Sequence, residues 1–394
     1  MAKNIVFCAD GTWNNEEATS STNVLKIFKY LSGEIEDLPN ENHLLDVFPE
    51  MERKEAKQVA KYINGVGNQP IKIQQIFCGA FGAGVIARII RGYTFISRNY
   101  EPGDDIYLVG FSRGAYTVRA LAGMIVAKGL LNKSCYEVKG NSQASKDNAY
   151  ELASETWFEY KSKGKNDNRI TRLAHSLLAN LFANGITSGT KALFTSNKIY
   201  HENVKIKCLA VFDTVGSHGI PRVGWKDGEN FVDNNLDLID EFQFADLTLS
   251  DKVEFGFHAI ARDEKRISFM PTLWNSRVNI YQEVFAGAHA DTGGGYPNTN
   301  HESDLSDIAL DWMVNKLKNT GLHLTTITPI PTLKPLGPQH QEWANITNQL
   351  LTKSRDLTGI SVNSSVNKRI NQSVDLIKVD FSTGRSQTKS ILYV

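Results

Sequence analysis

No stretch of about 18 consecutive apolar residues occurs in this chain, so the sequence offers no transmembrane helix. Neither sign of charge is in excess: Lys+Arg and Asp+Glu both number 43, and the formal net charge is +0. Without a basic surplus no nucleic-acid partner is expected, and no acidic tail marks a charged one. Cysteine is scarce. Cys8, Cys78, Cys135 and Cys208 lie far apart with no C-x-x-C pairing. That spacing fits buried free thiols of a cytosolic protein, not a disulfide framework. The opening MAKNIVFCADGTWN lacks an apolar signal core and a small-residue cleavage site, so the expected location is the cytoplasm. Internal repeats and low-complexity tracts are also missing.

What is present is an ordinary globular composition: 394 residues, 41% hydrophobic, with 30 glycines. Length predicts one large domain over residues 1–325, with an inserted helical segment around 132–200, and a C-terminal extension over 326–394. Apolar runs predict strands at 3–9, 58–63, 105–111, 204–212 and 279–286. Helical spacing predicts helices over 21–33, within 71–98 around a glycine loop at 79–84, and over 114–131, 253–261 and 303–318, the last with Ser303 as N-cap. Residues 34–56 read as charged and irregular, and the chain beyond 325 as a weakly patterned, β-rich tail. Strands alternating with helices predict a mostly parallel sheet with helices on both faces. The chemistry of such a fold gathers at the C-terminal ends of its strands.

The strongest motif is Gly110-Phe111-Ser112-Arg113-Gly114, a G-x-S-x-G match. A strand precedes it and an apolar helix follows, the setting a nucleophile elbow requires. Ser112 would then stand at a helix N-terminus, and the N–H of Arg113 would be the first oxyanion donor. The bland alternative is a tight turn with a serine N-cap, which needs neither glycine. Serine is a poor nucleophile by itself and needs a base and an orienting acid. In this fold class they follow in the order Ser, acid, His. Asp213 ends one downstream strand, and His289 sits in a glycine-rich loop after the next, giving Ser112–Asp213–His289. Asp213 could instead cap a turn. His258 competes with His289 but reads as a packed histidine on a helix. Asp291 either orients the His289 loop or replaces Asp213 as the acid.

Five segments together resemble a known family: Phe7 to Asn14 (FCADGTWN), Gly110 to Tyr116, Val211 to Gly216, His258 to Arg266 and Phe285 to Tyr296. In order and spacing they are similar to the uncharacterised α/β-hydrolase domain family that includes type VI secretion phospholipase effector catalytic domains. The resemblance implies an α/β-hydrolase fold, a Ser-Asp-His triad, esterase or phospholipase activity on acyl esters, and no cofactor. It places Asp10 and Gly11 at the active-site rim, with Thr12 N–H as second oxyanion donor; a structural Asp turn reads equally well there. It also implies delivery by a type VI secretion system and a secretion-machine or immunity partner. Such effectors usually carry membrane-docking modules, whereas only residues 297–394 follow the last block here.

A lipid substrate calls for an apolar cover. Residues 170–194 are apolar on one helical face with Arg169, Arg172 and Lys191 beside them, as in a peripheral membrane helix or a helix packed on the core. Two rival readings stand. Asp10, Asp213, His289 and Asp291 could ligate a divalent metal in a metal-dependent hydrolase, which leaves the GFSRG motif unexplained. A hydrolase fold could also serve binding alone.

Overall fold

The computed structural model describes residues 2–11, 20–37, 50–65, 81–135, 143–162, 198–215, 222–226, 229–233, 249–325, 333–343, 352–380 and 385–394. Its strands are β1 (Asn4–Ala9), β2 (Glu34–Asp37), β3 (Glu50–Glu55), β4 (Gln58–Ile63), β5 (Asp105–Phe111), β6 (Leu130–Leu131), β7 (Tyr200–His201), β8 (Ile206–Phe212), β9 (Arg222–Lys226), β10 (Glu229–Asp233), β11 (Val253–Ala261), β12 (Ile280–Phe285), β13 (Gln339–Gln341), β14 (Ser361–Val362), β15 (Ser373–Asp380) and β16 (Arg385–Leu392). The helices are α1 (Asn23–Tyr30), α2 (Phe81–Asn99), α3 (Arg113–Lys128), α4 (Gln143–Ser162), α5 (His289–Gly293), α6 (Asp304–Asn319) and α7 (Ser364–Arg369).

A nine-stranded sheet in the order β14-β12-β11-β8-β5-β1-β4-β3-β2 runs through the middle. From β14 to β4 every neighbour is parallel; β3 and β2 close one edge antiparallel. The central strands are apolar on both sides because both sides are covered. On one face Ile5, Phe7, Leu108 and Val211 pack against Ile89, Tyr93, Leu121 and Trp157 of α2, α3 and α4. On the other, Val6, Cys8, Val109 and Phe212 pack against Phe28 of α1 and Ala309 and Met313 of α6. Each fully buried large apolar side chain contributes about 1.5–3 kcal/mol, so these two layers hold the sheet in register.

Several expectations change. Residues 253–261 are a strand, not a helix: β11 lies between β8 and β12, and pairing with both neighbours overrides the local pattern of this short segment. Residues 34–56 are not wholly irregular; β2 and β3 form the sheet edge, where charged side chains suit a strand exposed to water. Residues 81–84, read as part of a glycine loop, belong to α2. Within the insertion only α4 and the short β6–β7 pairing fall among the described residues, and 170–194 lies outside them. Cys8 and Cys208 are buried free thiols, but Cys135 is half-buried on a short 3-10 turn.

The extension beyond 325 packs onto the sheet. β14 pairs with β12, β13-β15-β16 form a small sheet, and Val366, Val374 and Tyr393 share a cluster with Ala286.

Candidate active site

The chain enters β5 beside β1, passes the end of the sheet at Ser112, and turns straight into α3. Ser112 adopts φ 56 and ψ −120, a left-handed conformation that costs a non-glycine residue energy. The two motif glycines explain how the turn fits. A Cβ on Gly114 would stand 2.0 Å from the Ala9 carbonyl oxygen, and one on Gly110 would stand 2.6 Å from the Gly114 carbonyl oxygen. Only glycine permits α3 to begin this close to β1 and β5. The Ser112 hydroxyl makes no helix-capping hydrogen bond. Its N–H donates to Phe212 at 3.1 Å, which ties the elbow to the end of β8.

Asp213 follows β8 and is fully buried, also at positive φ (39). Its Oδ2 lies 2.6 Å from His289 Nδ1. Its Oδ1 accepts the Ala261 N–H at 2.9 Å. Arg355, from the C-terminal extension, donates from Nη1 to Oδ1 at 2.6 Å and from Nη2 to Oδ2 at 3.0 Å. Burial alone would raise the Asp213 carboxyl, but the Arg355 charge and then His289 hold it well below the usual carboxylate range.

His289 opens α5, where its backbone N–H donates to Glu264 Oε2 at 3.3 Å. Its ring lies 4.6 Å from Phe111, the residue before Ser112, and its other side meets the edge of Phe269 at 4.8 Å. With Nδ1 on Asp213, His289 Nε2 is buried and has no hydrogen-bond partner. Glu264 is buried and paired to Arg266 by two hydrogen bonds of 2.8 Å, and the Arg266 guanidinium covers Phe269.

The other sequence candidates separate cleanly. His258, in β11, accepts the Thr214 N–H at Nε2 (3.2 Å), and burial, then Arg119, pushes its proton affinity down to about 3. It is the packed histidine, on a strand. Asp291 receives the Ala288 N–H at 2.8 Å and faces His340 Nδ1 at 2.6 Å; it bonds within the His289 loop and not to the His289 ring. Asp10 is buried and accepts from Gly11 N–H, Thr22 Oγ1 and Tyr62 Oη. Burial raises its carboxyl to about 6 against those three bonds. Arg113 is the first residue of α3, and burial lowers its side chain to about 10. Thr12 lies outside the described residues. Among the described residues no three His, Cys, Asp or Glu side chains are grouped to hold a metal ion.

Two site residues were not read from the sequence, Arg355 and His340. Each sits in a polar stretch of the tail that looks like ordinary surface, and no local pattern marks either as buried.

The model of the type VI secretion phospholipase effector Tle1-like catalytic domain matches residues 3–316. The chain belongs to this family. An uncharacterized protein of Saccharomyces cerevisiae is 30% identical over 149 residues, covering 34% of this chain and 19% of that protein. A solved structure of the Tle1 effector bound to the VgrG spike aligns over 100% of this chain and 91% of its own, at 13% identity and TM-score 0.45. An uncharacterized protein from Pseudomonas aeruginosa aligns over 84% of this chain and 48% of its own, at 18% identity and TM-score 0.41. This chain thus spans about a fifth of the yeast protein's length and about half of the Pseudomonas protein's.

Proposed function

We propose that this chain is a phospholipase-type serine hydrolase on an α/β-hydrolase fold, with Ser112 as nucleophile, His289 as base and Asp213 as the acid that orients it. One observation carries the reading. A histidine clamped through Nδ1 to a buried carboxylate at 2.6 Å has its other nitrogen buried without a partner, and its ring packs on Phe111, beside the strained serine. His258 also keeps one buried ring nitrogen unpartnered, but its other nitrogen only accepts the Thr214 backbone N–H; what sets His289 apart is the carboxylate on Nδ1. Family membership supports the same chemistry and points to phospholipid as the substrate and to delivery by type VI secretion.

In the proposed cycle His289 Nε2 takes the Ser112 proton as Oγ attacks the acyl carbonyl. Asp213 holds the ring and offsets the charge that forms on it. The first N–H groups of a helix have no intrahelical acceptor, so those at the start of α3, beginning with Arg113, can stabilise the oxyanion. The proton passes from His289 to the leaving alcohol. Water, deprotonated by His289, then frees the acyl group and restores Ser112. Residues 170–194 are the proposed membrane-contact segment, and a spike or immunity protein the proposed partner.

A fluorophosphonate probe tests the reading. Wild type should label, Ser112→Ala should not, and His289→Ala should label about 1,000-fold more slowly or worse. A folded wild type that stays unlabelled, with and without phospholipid vesicles, would sink it. If labelling succeeds, phospholipid vesicles should be hydrolysed in preference to short p-nitrophenyl esters.

A further inference from the structure

The segment that follows the family match contributes a side chain to the site. Residues 3–316 carry Ser112, Asp213 and His289, yet Asp213 receives a fully buried arginine from residue 355. A carboxylate offers about four lone-pair sites. On Asp213 all four are taken: Ala261 N–H and Arg355 Nη1 on Oδ1, His289 Nδ1 and Arg355 Nη2 on Oδ2. Arg355 is itself fixed, because Nη1 also donates to the Ala261 carbonyl at 2.6 Å and Nη2 to the Phe269 carbonyl. Those two carbonyls bracket the loop that carries Glu264 and ends against the His289 ring.

We propose that Arg355 is a positioning residue for catalysis, clamping Asp213 in one rotamer and setting the charge against which His289 is protonated. This rests on His289 being the base of the reading above. Two consequences follow from the geometry. The clamp stops Asp213 from rotating, so Nδ1 of His289 keeps its proton and Nε2 remains the acceptor. The guanidinium also neutralises Asp213, so a protonated His289 meets an ion pair instead of a bare carboxylate. Among the described residues, the other charged groups around His289 are the buried Glu264, which faces its backbone N–H and is itself neutralised by Arg266, and Asp291, whose carboxylate is turned to His340. The charge set beside the base is thus part of the clamp, and it gives the test a readout that a purely structural arginine would not move, the pH dependence of labelling.

The test is the rate of fluorophosphonate labelling against pH, from about 5 to 9, for wild type, Arg355→Gln and Arg355→Lys. Arg355→Gln removes both the clamp and the charge. Its plateau rate should fall about 10- to 100-fold, and its acid limb should move up by about one pH unit, the size expected for losing one close charge. Arg355→Lys keeps the charge without the paired geometry. Its limb should stay near that of wild type while its plateau falls. A folded Arg355→Gln with the plateau and limb of wild type overturns the proposal. So does a slower Arg355→Gln whose limb has not moved, which would make the arginine structural only. If Arg355→Gln does not fold, a wild-type plateau in Arg355→Lys overturns the clamp. Failure of wild type to label is a different result and rejects the serine-hydrolase reading itself.

Discussion

At the scale of single residues, the site depends on atoms that are not there. Gly114 has no Cβ because Ala9 O would lie 2.0 Å from it, and both groups are backbone at the meeting of β1, β5 and α3. Gly114→Ala is expected to destabilise the protein by about 3 kcal/mol or more, at the top of the range for overpacking, because no side chain can move to make room. A thermal melt checks this; a midpoint within a degree or two of wild type would show that the elbow tolerates a methyl group. GFSRG was legible in the sequence because the constraint is local: strand, sharp turn and helix are consecutive. Asp213 and His289 were legible because each ends or follows a strand, and parallel strands deliver their ends to one edge. Arg355 was not. Its burial is decided by a carboxylate 142 residues away, and nothing beside it in the chain records that.

Elements meet at Asp10, which joins the end of β1 to Thr22 at the start of α1 and to Tyr62 in β4. The sequence left this aspartate between an active-site rim and a structural turn; one of its bonds is local, to Gly11 N–H, and the other two tie β1 to α1 and β4. Its carboxyl is raised to about 6, burial being the largest cause, so the folded state prefers it protonated relative to the unfolded chain. The sign follows: between about pH 4 and 6 the folded form binds more protons, and stability falls as pH rises through that window. Asp10→Asn carries no such charge. The stability of Asp10→Asn relative to wild type should therefore improve by about 3 kcal/mol from pH 4 to pH 7. Urea midpoints at the two values measure it, and a constant difference would mean that Asp10 ionises freely. The misread β11 belongs to this scale too. Local pattern does not separate helix from strand in so short a segment, and its place between β8 and β12 decides.

Across the whole molecule, we propose that residues 326–394 are an integral wall of the catalytic domain. Besides Arg355, they supply His340, which lies between Asp291 Oδ1 (2.6 Å) and Glu302 Oε2 (3.3 Å), with Tyr296 stacked on its ring at 3.4 Å. This latch ties the extension to the loop that carries His289. Burial would lower the His340 proton affinity, but Asp291 and then Glu302 outweigh it and raise it. For a histidine raised in the folded state, the stabilisation is complete below the ordinary histidine range and is lost as pH rises through the raised value. His340→Ala should thus cost about 2–3 kcal/mol near pH 5.5 and clearly less near pH 9. Denaturation at both values tests this, and an equal loss at each would leave a packing contact without a charge.

By itself the sequence determined the alternation of strands and helices, the elbow at Ser112, and the order in which serine, aspartate and histidine reach the sheet edge. These are local facts: the period of apolar residues, the glycines around one turn, the polar residues just past a strand. Only the tertiary structure decided which histidine meets Asp213, that Asp291 serves His340 instead, and that an arginine from the tail closes the site. Those outcomes depend on the burial of charge. A buried ion is tolerable only where a partner waits, and the partners here come from segments that are far apart in the chain and adjacent only once the sheet has formed.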